Sequence, residues 1–313
     1  MNKKIFKTLL CLGLLTSVFA VTNYAQNNTN AEERYIIGVD NDENTGADSY
    51  GRAGDNKESR FYKNPDYFNL KNDDTLVIIE KFKTMQQTTE WSCGNVTALM
   101  VLENMGIKNE FTEMAIAESM KSSTDLDTPN AKPGSADNFG EFGTDVEQMF
   151  EFFSAVKGVK VYETNYISDP KTEDLYSNKD LVPEADFGNI KRKFHNVSLY
   201  ASENDPNTDK WVEDAKDSYF VKWLTGHLKE NRPIMVEWVD WNGHWQAIIG
   251  YDNNGTPGIG DDTLIFADPY DTSDHMQDGY YVYPLERWFY MWHDRSIAKK
   301  PLQLQPYIVV GKE

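Results

Sequence analysis

The chain has 313 residues, 40% of them hydrophobic and 13% aromatic, which is enough apolar material for one large domain with a full core. Its formal charge is −19, and an acidic surface of that kind repels nucleic acid and anionic membranes, so neither is an expected partner. Taken alone, the acidity reads as solubility outside the cell.

Lys3, Lys4 and Lys7 open the chain, an apolar run from Leu9 to Phe19 follows, and Ala20 and Ala25 offer small-residue cleavage positions. This is the pattern of an export signal, assigned to residues 1–25, with a retained amphipathic anchor as the alternative. The run is too short to span a bilayer and no later stretch is long and apolar enough to do so, so no membrane contact is expected after signal removal. Losing the three lysines and no acid takes the charge from −19 to −22. Cys11 leaves with the signal. Cys93 is then the single cysteine of an exported protein, where it is a buried filler, an intermolecular bridge or a reactive group.

Residues 26–74 read as a polar, acidic, extended lead-in lying across the main domain, with strand character only at Tyr35–Val39. Asp40, Asp42 and Asn44 have the alternate spacing of a calcium loop. The glycine, Gly46, comes one place late and Gly51 stands where the closing glutamate belongs, so a solvated turn is expected. Residues 75–313 form the domain proper. Thr75–Phe82 is a strand, and from Cys93 the residues Val96, Leu99, Met100 and Met105 follow helical spacing until Gly106. Phe111–Met120 and Thr144–Val156 read as helices and Val159–Glu163 as a strand. Residues 164–215 are an irregular polar insertion, expected to gate or shape a cleft. Asp217–Lys229 reads as a helix, and strands are expected at Pro233–Val239, His244–Tyr251, Thr263–Asp268, Tyr280–Tyr283 and Tyr307–Val310. Helices first and strands later predict an α+β architecture, a helical half packed on an antiparallel sheet.

Cys93 stands where a helix begins, a place that favours its nucleophilic thiolate form, with Ser92 as candidate cap and Gly94 leaving room for a substrate near the backbone. A base is required. His195, His227, His275 and His293 read as surface or satisfied histidines, whereas His244 opens the most apolar strand of the chain. A hairpin centred near residue 256 sets Asp268 opposite His244 on one sheet face, with Asp240 and Asp271 as alternative acids. Gln87, or its neighbour Gln86, could supply a donor to an oxyanion. The tryptophans and tyrosines near His244 (Trp238, Trp241, Trp245) and later (Tyr280, Tyr281, Trp288, Tyr290, Trp292) read as packing before groove lining. A metal site of Cys93, His244 and Asp268 would leave Gln87 idle, so neither a metal nor another cofactor is expected.

Gln87, five residues, then Cys93-Gly94 ahead of an apolar helix, Gly243-His244-Trp245 on a strand ending Gly250-Tyr251-Asp252, and Ala267-Asp268-Pro269 together resemble the papain-like cysteine peptidases. The likeness is nearest to their bacterial branch related to bacteriocin-leader (double-glycine) processing peptidases, here as a secreted stand-alone domain. It implies a papain-like fold with Cys93 as nucleophile, His244 as base, Asp268 as orienting acid and Gln87 lining the oxyanion hole. A monomeric peptidase acting on peptides or proteins outside the cell is the expectation. The alternatives are a thiol acyltransferase or amidase using the same residues, and a non-enzymatic adhesin or binding module that kept the fold.

Overall fold

The computed structural model describes residues 35–36, 65–89, 91–107, 111–122, 143–166, 194, 197–205, 207–238, 243–270, 278–292 and 305–313. The export signal, most of the lead-in with its Asp40 loop, much of the 164–215 insertion, and Asp240, Trp241, Asp271, His195, His275 and His293 lie outside the described residues.

The strands are β1 (Tyr35–Ile36), β2 (Leu76–Ile78), β3 (Thr84–Met85), β4 (Val159–Thr164), β5 (Ile234–Trp238), β6 (His244–Asp252), β7 (Thr263–Ala267), β8 (Tyr280–Pro284) and β9 (Tyr307–Lys312). The helices are α1 (Cys93–Asn104), α2 (Glu113–Met120), α3 (Val146–Ala155), α4 (Tyr219–Lys229) and α5 (Leu285–Met291). Caps set where most of them begin. Asp145 and Gln148 form a reciprocal capping box, at 2.9 and 2.8 Å, that starts α3 two residues later than the apolar pattern suggests. Thr112 and Ser218 cap α2 and α4 through their hydroxyls. Helix α5 was not foreseen. Its Leu285, Trp288 and Phe289 have the spacing of one buried helical face, in a stretch whose aromatic content obscures that period.

Six strands pair in the order β4-β9-β5-β6-β7-β8, every neighbour antiparallel, and β2 joins the C-terminal part of β6 as a seventh. β6 is the central strand, with eight of its nine residues buried. Period-two alternation divides its side chains between two layers. Trp245 faces α1, since its carbonyl accepts from Thr97 Oγ1 at 3.1 Å and its Nε1 donates to the Thr144 carbonyl at 2.6 Å. The opposite face carries Phe266 and Tyr307, which meet Trp288 of α5 and Trp223 of α4 at ring separations of 5.9 and 5.5 Å. The architecture is α+β, as expected, with helices on both sheet faces. Trp238, Trp245, Tyr280, Trp288 and Trp292 are all buried, so these aromatics are core.

Candidate active site

Helix α1 begins at Cys93 and is buried on almost every side, which makes it the central helix of its layer. Gly94 is what lets it come so close. A Cβ there would stand 2.9 Å from Thr144 Cβ, 3.0 Å from Met149 Cε and 3.2 Å from Trp245 Cδ1. The expectation that Gly94 makes room for a substrate is therefore corrected: the space beside it is filled by protein. Ser92 is also corrected. It occupies the N-cap position, but its hydroxyl makes no cap bond and instead donates to Glu113 Oε1 of α2. Glu113 also accepts from the Thr88 amide at 3.0 Å and the Thr88 hydroxyl at 2.9 Å, so one carboxylate holds both ends of the loop that leads into Cys93. With no side-chain cap, the first-turn N–H groups of α1 keep their positive end for whatever sits at Cys93.

His244 lies at the first position of β6, 3% exposed, and Asp268 follows directly after β7, 1% exposed. His244 Nε2 and Asp268 Oδ1 are 2.6 Å apart. The register that brings them together differs from the simple hairpin. β6 and β7 pair Ala247 with Ala267 and Ile248 with Phe266, and a bulge at Ile249 then shifts the count. Extending this ladder by one pair sets Gln246, not His244, opposite Asp268, and Gln246 Nε2 does donate to Asp268 Oδ2 at 2.9 Å. The error is two residues, and a slip of two leaves each side chain on its own face. His244 therefore reaches Asp268 on the diagonal.

Asp268 Oδ1 also accepts from the Tyr270 amide at 2.8 Å. Burial favours the neutral acid at Asp268, yet the neighbouring imidazolium and these donors outweigh it and hold the carboxyl below its ordinary range. Burial likewise presses the His244 pKa down. The Asp268 charge, the bond to it and a hydrogen bond with the Cys93 thiol overcome that and hold it well above 6.5. With Nε2 taken by Asp268, Nδ1 is the nitrogen left for Cys93. Cys93 is 8% exposed, so only an edge of it meets solvent.

Gln87 is buried beside this group, its backbone N–H donating to the Pro269 carbonyl at 2.8 Å. Its Nε2 donates one hydrogen to the Thr89 carbonyl at 2.7 Å, which leaves the second amide hydrogen for another acceptor. His227 is far from this role: it packs edge-on against Trp223 and lies 3.5 Å from Glu163 Oε2. Sequence reasoning missed Glu113 and Gln246. The odd spacing of His244 and Gln246 along one strand was the signal that could have placed Gln246 on the same face. Among the described residues no group of three or more His, Cys, Asp or Glu side chains could hold a metal ion, and no helix is long and apolar enough to cross a membrane.

A buried thiol at a helix N-terminus, beside an imidazole bonded to a buried carboxylate, is an arrangement able to carry thiol hydrolase chemistry. Residues 189–282 match the family model described as papain-like cysteine protease AvrRpt2, a span that contains His244 and Asp268 and lies wholly after Gln87 and Cys93. The match supports a papain-like cysteine-type peptidase acting on protein. No curated protein matches the chain.

Proposed function

We propose that the chain is a secreted cysteine peptidase that hydrolyses peptide bonds through Cys93, His244 and Asp268, with Gln87 in the oxyanion hole. The observation that carries the reading is His244 itself, bonded to Asp268 through Nε2 and close enough to Cys93 for that group to help raise its pKa. The Cys93 sulfur attacks the scissile carbonyl while its proton resides on His244 Nδ1. The oxyanion that forms meets the Cys93 N–H and the free hydrogen of the Gln87 amide. His244 then gives its proton to the departing amine, leaving an acyl group on Cys93. A water molecule, deprotonated by His244, attacks that thioester and releases the new carboxylate. Asp268 stays an anion throughout and balances the imidazolium. Export is supported by the charge pattern of residues 1–25.

Labelling tests the reading without a known substrate. Iodoacetamide should alkylate Cys93 in the folded chain at mildly acidic pH, faster than a free thiol, and His244→Ala should remove most of that advantage. A folded protein that labels only as it unfolds, indifferent to His244, would overturn the reading. On a mixed peptide library, new amino termini that vanish in Cys93→Ala identify hydrolysis. New amides formed with an added amine identify an acyltransferase.

A further inference from the structure

Two buried side chains that touch no reacting atom form the far end of the hydrogen-bond chain that runs through Asp268 to His244. Trp238 Nε1 donates to Gln246 Oε1 at 2.7 Å, and Gln246 Nε2 donates to Asp268 Oδ2 at 2.9 Å. An indole N–H can only donate, so it draws the oxygen of the Gln246 amide to itself and turns the NH₂ toward Asp268. Asp268 then meets donors on both oxygens: Gln246 Nε2 on Oδ2, and the Tyr270 N–H and His244 Nε2 on Oδ1. A carboxyl enclosed in this way has no acceptor for a proton of its own. It remains an anion, and the hydrogen between it and His244 belongs to Nε2. Trp238 and Gln246 sit on β5 and β6, two adjacent strands of the buried sheet, and so form a rigid support.

Resting on the peptidase reading above, we propose that Gln246, oriented by Trp238, is a positioning residue for the thiol–imidazole pair. It keeps Asp268 ionised and aimed, so that His244 holds its hydrogen on Nε2 and presents Nδ1 to Cys93. Among the described residues the titratable groups set against His244 are Asp268, Cys93 and Tyr270, whose ring stands edge-on at 6.2 Å, and His244 is the one charged group against Asp268. A pH shift produced at Gln246 therefore reports on this pair.

The test is the pH profile of Cys93 alkylation by iodoacetamide in the full chain, with thermal unfolding followed on the same samples. Gln246→Met removes the donor at nearly constant volume. Gln246→Glu keeps the shape and the acceptor for Trp238 but brings a second carboxyl to Asp268. In Gln246→Met the rise of the profile should move up by about one pH unit, a tenfold loss of rate on the rising limb. Gln246→Glu should also move it up, because an ionised second carboxyl beside Asp268 replaces the donor and adds negative charge that disfavours the thiolate. Trp238→Phe, which frees the amide to turn, should shift the rise in the same direction. A merely structural Gln246 would lower the melting temperature and leave the profile where it was. An unmoved rise in the folded Met and Glu variants overturns the proposal. Should the Met variant not fold, the Glu variant, which retains the Trp238 bond, decides alone. Wild-type protein that labels only on unfolding counts against the peptidase reading. Fast wild-type labelling with unmoved variants counts against the positioning role alone.

Discussion

Replacing Asp262 by asparagine should change how stability depends on pH. Asp262 lies just before β7, at the opposite end of the β6–β7 hairpin from His244, and is fully buried. Its Oδ2 accepts from the Tyr251 hydroxyl at 2.5 Å, while Oδ1 has no hydrogen-bond partner among the described residues. Burial and the nearby Asp261, Asp252 and Asp214 charges raise its pKa from 3.8 to about 7, against the lowering effect of the Tyr251 bond. A carboxyl raised on folding binds its proton more tightly in the folded than in the unfolded chain. Stability from this group is therefore greatest near pH 4 and is lost as pH rises to about 7. Three pH units correspond to roughly 4 kcal/mol at most, and relaxation of the protein around the charged form reduces this to roughly 2–4 kcal/mol. Asp262→Asn keeps an acceptor for Tyr251 and cannot ionise. Its new amide group carries a pH-independent cost of about 1–3 kcal/mol if left unpaired, so the slope is the measurement that decides. Urea unfolding of both proteins at intervals from pH 4 to pH 8 should show the difference, variant minus wild type, climbing by roughly 2–4 kcal/mol. A difference that stays flat across that range would refute the reasoning.

Asp268→Ala should lower turnover by about 10³–10⁴-fold with the protein still folded, because the imidazole loses the partner that sets its tautomer; near-wild-type turnover on any cleaved peptide would point to a different acid. Gly94→Ala should destabilise by about 1–3 kcal/mol in urea despite alanine's better helix propensity, since the methyl group meets Thr144, Met149 and Trp245. Glu113→Ala, which releases Thr88 and Ser92 together, should cost about 1–3 kcal/mol and slow Cys93 alkylation at constant pH; unchanged labelling would show that the loop holds itself.

The candidate site was legible in part because its members sit where local pattern is strong. Cys93 opens a helix, His244 opens an apolar strand, and Asp268 directly follows the next one, so each could be placed from its neighbours alone. The Gln87 backbone does run beside Pro269, although nothing in the spacing of Gln87 and Cys93 required that contact. The assignments to Ser92 and Gly94 came from rules for isolated helices. In the folded protein Glu113 competes for the Ser92 hydroxyl, and the sheet and α3 compete for the space beside Gly94.

What the sequence by itself determined was the kind of most elements, though not of α5 or β3, and the face on which their side chains fall, because both follow from a period of 2 or 3.6 residues along the chain. That is why His244 and Asp268 were paired correctly from a register that was wrong by two. The tertiary structure alone decided the bulge at Ile249, the place of Gln246 opposite Asp268, and the reach of Glu113 back to Thr88. These depend on how α1 and α2 pack and how β2, β5 and β7 crowd β6. The groups involved are brought together by burial, and burial responds to the whole core instead of to any one stretch of chain.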